Sequence, residues 1–389
     1  MVWRRLIHPG RQGCGLAVLM RYTLRLLTLD QLGRAAAVVC ALELERRSDP
    51  ARLGDWPFEI GLWVGRGAPQ NRMGEEGDRD ETTARARVLK YKRDTSSFPP
   101  IPIESCPWCS TKFDPNSFRL LPDTKRPSAL LLCCANRRCE FAREPGLPVL
   151  TVDEPIYRRL PAFMIATADK FAAMPWVGEV AGFFGRADRF DATGFYGPAE
   201  PVGGRPLPAP LAPPDLIIQD ELHLIAGPLG SMAGLYETAL EALCAREVDG
   251  GRIRPKIIAS TATVRRAQRQ IRALFDRTDT AIFPPPGPDR RDSFFACIDE
   301  APDRARLYLG LAAPGRSPKV LFLRAATILL ATAGKAWRDA GGRVPSNPAD
   351  PYMTLVAYFN ALRELGSARR IVEDEVRTRV SISPAVRCR

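Results

Sequence analysis

Short apolar runs alternate with stretches of helical periodicity along most of the chain. "LAVLMRY" (Leu16 to Tyr22) is an apolar run of strand length, and "LDQLGRAAAVVCALELERR" after it repeats apolar positions at helical spacing. "PFEIGLWVGRG" (Pro57 to Gly67) predicts a strand ending in a glycine-rich turn, and "AFMIATADKFA" (Ala162 to Ala172) a strand entering a short helix. "PPDLIIQDELHLIAGPLGSM" (Pro213 to Met232) predicts strand, turn and the start of the helix "MAGLYETALEALCARE"; "RPKIIASTATVRRAQRQIRALF" repeats that order. Residues 303–340 read as helical, and "YMTLVAYFNALRELGSARRIVEDEV" starts a further strand–helix unit. Strands alternating with helices predict an α/β protein built on a parallel sheet. Three stretches break the pattern. Residues 66–100 are polar and charged and read as a loop or flexible excursion; 196–214 and 283–296 are proline-rich connectors. No repeat occurs at solenoid periods.

One strand ends against this pattern. "DLIIQ" runs into Asp220-Glu221, then Leu222 and His223. The carboxyl end of a parallel strand opens into the crevice where ligands bind. Two adjacent carboxylates there can divide their work: one holds Mg²⁺ against nucleotide phosphates, and the other polarises an attacking water. The bland reading is a solvated acidic pair before a turn. About forty residues on, Ser260-Thr261-Ala262-Thr263 stand at another strand end, where hydroxyls can bond the Asp/His side; alone they would read as a helix N-cap.

Cysteines add a second candidate site. Cys106-x-x-Cys109 has the bite of a zinc knuckle, and Cys133, Cys134 and Cys139 follow about 24 residues later, the spacing of a Cys₄ zinc ribbon. The second pair is Cys139 with either Cys133 or Cys134. No histidine lies in the segment, so the expected site is closed and structural. Lys112, Arg119, Lys125, Arg126, Arg137 and Arg138 surround it, and Trp108 and Phe141 can stack on bases.

Composition narrows the class of partner. The chain has 389 residues, 45% hydrophobic and 26% charged, and a net charge of +12. That excess favours a polyanion, most simply nucleic acid, although 48 of the 56 basic residues are arginine and genomic bias contributes. No uninterrupted apolar run reaches the ~18 residues that span a bilayer. The apolar stretch near the start, "GLAVLM", is short and stops at Arg21, unlike a signal peptide. Cysteines at metal spacing suit a reducing compartment, so the expectation is a cytoplasmic protein with no membrane partner.

"DELH" followed by "STAT" resembles motifs II and III of superfamily 2 (DExH-type) helicases. "PDLIIQDELHLIAGPLGSMAGLYE" together with "VLMRYTLRLLTLDQLGRAA" resembles more closely the large helicase of the DISARM phage-defence systems, from about Leu16 to about Val376. The resemblance implies a RecA-like parallel sheet, ATP and Mg²⁺ as cofactors besides Zn²⁺, and nucleic acid as partner, DNA in preference to RNA, with other defence-system proteins alongside. It implies that Asp220 binds Mg²⁺ and Glu221 is the general base. His223 would sense the γ phosphate and couple it to Ser260, Thr261 and Thr263. "RYTLRLLTLDQ" resembles motif Ia and "IATADKFA" motif Ib, which makes Arg25, Thr28, Thr167 and Lys170 candidates for contacts to one strand. The family's C-x-N-x-x-C selects Cys134 over Cys133 as the metal ligand.

The resulting division is 1–100, the first part of a RecA-like domain; 101–145, an inserted ribbon; 146–282, the rest of that domain; 283–349, a connector; and 350–389, the start of a second RecA-like domain. The phosphate-binding loop G-x-x-x-x-G-K-[ST] is absent from the sequence, and Gly334-Lys335 is followed by Ala336-Trp337. The expectation is therefore a fragment that does not hydrolyse ATP at a motor-like rate, or one completed by a second polypeptide. A non-catalytic zinc-ribbon module that binds nucleic acid is the alternative from a different class.

Overall fold

A computed structural model describes residues 1–378 except 9, 23–24, 66–70, 201, 226, 262–266, 284–294, 296, 298–306 and 313. Two compact units divide at Ile282 and Phe283.

The first unit is built on six parallel strands: β1 (Val18–Tyr22), β2 (Ile60–Trp63), β3 (Val149–Leu150), β4 (Phe163–Thr167), β5 (Leu216–Gln219) and β6 (Lys256–Ala259), in the order β6-β5-β1-β4-β2-β3. β1 is central, with Val18 opposite Leu216 on one side and Phe163 on the other. β6 has a neighbour on one side only among the described residues.

Alternation along the strands sorts side chains into two layers. Ile60, Leu62 and Ile165 pack with Leu32, Ala36 and Val39 of helix α1 (Arg25–Ser48). Leu19, Trp63, Met164, Ala166 and Ile217 face the other way, against Phe183, Leu240 and Cys244. Both faces of β1, β2 and β4 are covered, which is why they read as apolar runs, whereas β6 leaves Lys256 and Ile258 exposed.

Four differences from the sequence reading have local causes. The 66–100 stretch contains helix α2 (Ala84–Arg93), capped by Thr83, whose Oγ1 accepts the Ala86 N–H at 3.3 Å; its buried face is only Ala84 and Val88. The 196–214 connector supplies Arg205–Pro206 to a small antiparallel sheet with Arg189–Phe190 and Phe195–Tyr196. The first residues form a helix, Val2–Ile7, whose Arg4 is buried and bonds the Leu16 carbonyl at 2.8 Å. The expected strand at 352–360 does not form: these residues pair with no strand, and Tyr358 is 93% exposed.

The sheet also carries α3 (Asp153–Arg159), α4 (Ala168–Ala173), α5 (Gly227–Cys244) and α6 (Ala267–Phe275). The second unit holds α7 (Pro318–Asp339) and α8 (Leu362–Ile371). Leu323 and Ala326 of α7 pack with Val376. Although Arg324 interrupts it, α7 as a whole is long and apolar enough to cross a membrane by length and composition, a test that a core helix also passes.

Candidate functional site

Three described strand ends meet at the carboxyl edge of the sheet around the DELH turn. β5 stops at Gln219, and the Asp220 N–H donates to the Arg21 carbonyl at 3.2 Å. Glu221 then adopts φ 51° and ψ 43°, the left-handed region, and Leu222–Leu224 form a single 3₁₀ turn before α5. That reversal leaves both carboxylates at the edge, Glu221 about one third exposed.

The turn is tied to the neighbouring strand end. Ser260 Oγ donates to Asp220 Oδ1, and the Leu222 N–H donates to the Ser260 carbonyl at 2.9 Å. Gln270 of α6 donates to the carbonyls of Leu222 (3.0 Å) and Ile225 (2.9 Å). His223 Nδ1 lies 3.3 Å from Glu221 Oε2 without hydrogen-bond alignment. The structure thus brings Asp220, Glu221, His223 and Ser260 together, with the partly exposed Thr261 following Ser260. Thr263 lies outside the described residues. A carboxylate held by a hydroxyl beside a second, freer carboxylate is an arrangement that accepts a hard cation through one group and a water through the other.

The strand-contact candidates are placed differently. Arg25 and Thr28 are in the first turns of α1, and their side chains lie outside the described residues. Thr167 ends β4, and its Oγ1 accepts the Gly65 N–H at 3.2 Å. A Cβ at Gly65 would meet the side-chain carboxylate of Asp169, which would have to turn aside. Lys170 is turned inward: its ammonium is buried against Asp153 and donates to Asn71 Oδ1 at 3.1 Å. In this arrangement its charge meets Asp153 rather than the crevice. Burial, opposed by Lys170, pushes the Asp153 carboxyl up to about 6.

The thiol cluster forms a second centre. The sulfurs of Cys106, Cys109, Cys134 and Cys139 lie within 4.8 Å of one another, near the ~3.8 Å separation that tetrahedral zinc thiolates require. A hairpin, Phe118–Leu121 with Ala129–Leu132, carries the second pair, and the cluster packs on the α1 side of the sheet. Burial acts against the Cys109 thiolate, but hydrogen bonds with Thr111, Cys134 and Cys106 together outweigh it and leave the group at about 6. Burial pushes Cys139 up to about 11. The four can hold a metal ion such as zinc; Cys133 is buried outside the group.

The structure also names residues that the sequence reading did not single out. Gln270 lies inside an ordinary amphipathic helix pattern. Arg21 and Glu237, buried partners from β1 and α5, are 216 positions apart, and only the charge interrupting "LAVLM" hinted at the first.

The fold and sites define an α/β protein with a carboxylate–hydroxyl centre at its strand ends and a four-cysteine centre on the α1 face of the sheet. No protein-family model matches the sequence. The chain is similar to the DISARM protein DrmA of Bacillus paralicheniformis, 39% identical over 380 residues, covering 94% of this chain. It is homologous to DrmA over nearly its whole length and spans about a third of that relative (33%).

Proposed function

We propose that the chain supplies most of the first RecA-like domain of an ATP-dependent nucleic-acid helicase or translocase acting in DISARM defence. In this reading it works in the cytoplasm on DNA in preference to RNA, alongside other defence-system proteins. The observation that carries it is the Asp220–Ser260 contact across adjacent strand ends, with Glu221 set beside it by a left-handed turn. Asp220 would hold Mg²⁺ on the nucleotide and Glu221 would take a proton from the attacking water. His223, Ser260, Thr261 and Thr263 would transmit nucleotide state. Arg25, Thr28 and Thr167 would lie along the nucleic-acid strand, with Lys170 holding the strand-end region in place through Asp153. The ribbon would bind Zn²⁺ structurally. A phosphate-binding loop and arginine fingers would come from polypeptide outside these residues, so the chain alone would turn over ATP slowly.

The four-cysteine cluster favours a second reading, a non-catalytic nucleic-acid-binding module. The two separate on Glu221→Gln and Cys106→Ser, made in this chain and in the longer protein that contains it. The motor reading expects Glu221→Gln to abolish ATP hydrolysis by the longer protein while oligonucleotide binding persists. The module reading expects no effect of Glu221→Gln and loss of binding with Cys106→Ser.

A further inference from the structure

Arg21 interrupts an otherwise apolar central strand one residue before its end, and it is 6% exposed. Its guanidinium makes a two-pronged contact with Glu237, itself 7% exposed on α5; the second prong is 3.1 Å. The guanidinium also lies over the Phe171 ring of α4, 5.6 Å from its centroid. Its own carbonyl receives the Asp220 N–H. One residue therefore touches the backbone of the candidate phosphate-site turn, the helix that leaves that turn, and the helix of the "ADKFA" segment.

A buried ion pair is weak support for stability, because desolvation of both charges offsets their attraction. Apolar side chains of similar volume would fill this place at least as well. What an arginine fork adds is geometry: two parallel bonds fix a helix in translation and rotation, and the ring contact extends that constraint to a third element. Glu237 lies ~15 Å along α5 from its first residue. A displacement of the DELH turn transmitted down α5 would therefore arrive at Arg21, and through it at α4.

We infer that the Arg21–Glu237 pair is a positioning device that couples the nucleotide-site turn to α4, so that nucleotide occupancy at Asp220 changes the grip on nucleic acid. The inference rests on the proposed nucleotide site. Neither residue touches the reacting atoms.

The test replaces the pair by apolar side chains, Arg21→Met with Glu237→Leu, a change that leaves no unpaired buried charge. The affinity of the longer protein that contains the chain for a fluorescent single-stranded DNA oligonucleotide is measured by anisotropy with and without millimolar Mg·ATP, and thermal melting is followed in parallel. The wild-type protein is expected to change its oligonucleotide affinity about five-fold or more on adding Mg·ATP. In the double variant that ratio falls to one, while melting and affinity without nucleotide stay as in the wild type. The charge-reversed pair, Arg21→Glu with Glu237→Arg, restores part of the ratio. A wild-type ratio preserved in the double variant overturns the coupling role and leaves the nucleotide site standing. A ratio of one in the wild type overturns both. Loss of melting stability with an intact ratio assigns the pair to structure alone and also overturns the inference.

Discussion

Glu221 holds a backbone conformation that favours glycine, and a side chain there costs about 1 kcal/mol. Glu221→Gly is therefore expected to raise the free energy of urea unfolding by about 0.5–1 kcal/mol. An unchanged or lower value would mean that the turn tolerates the side chain without strain. Asp153 has the opposite character, a buried carboxylate whose folded pKa, about 6, is raised above its ordinary value. The folded state then binds its proton more tightly than the unfolded state does. Its contribution to stability is present below the unfolded pKa, about 4, and is lost as pH rises through about 6. The difference in unfolding free energy between wild type and Asp153→Asn should move against the wild type by on the order of 2 kcal/mol from about pH 4 to 7. A flat difference would refute the assignment.

Elements with a strong apolar pattern were legible in the sequence. β1, β2, β4, β5 and β6 and helices α1 and α5 fall where periodicity places them; burial on both faces of β1, β2 and β4 leaves few polar positions to confuse it there. Helix α2 was missed because "ARARVLKYKR" offers only a narrow apolar stripe, and its cap at Thr83 carries the start. The 352–360 segment shows the converse. Its residues have strand propensity, but a strand exists only beside another, and no described residues of its unit supply one. Arg21 with Glu237 could not be read at all, since no local pattern links positions 216 apart. In the ribbon, spacing alone left Cys133 and Cys134 equivalent, whereas in the structure the sulfur of Cys134 joins the other three. The purified chain is expected to carry one zinc; Cys133→Ala should keep it and Cys134→Ala should lose it, read by metal analysis after gel filtration. Retention in Cys134→Ala with loss in Cys133→Ala would reverse the assignment.

For the whole molecule, two centres share one α/β unit: a thiol cluster on the α1 side and a carboxylate–hydroxyl centre at the strand ends. The chain spans about a third (33%) of the DrmA that it matches, and its net charge of +12 suits a polyanionic partner. The proposed motor role requires that the strand-end centre hold a metal-bound nucleotide. Mn²⁺ is a paramagnetic stand-in for Mg²⁺ at oxygen ligands, so electron paramagnetic resonance of Mn·ATP titrated with the purified chain reads that site directly. The expected result is binding with a Kd of ~1 mM or tighter, weakened about ten-fold or more by Asp220→Asn and little changed by Glu221→Gln. Equal binding of Mn·ATP by wild type and Asp220→Asn, or none by the wild type, would contradict it.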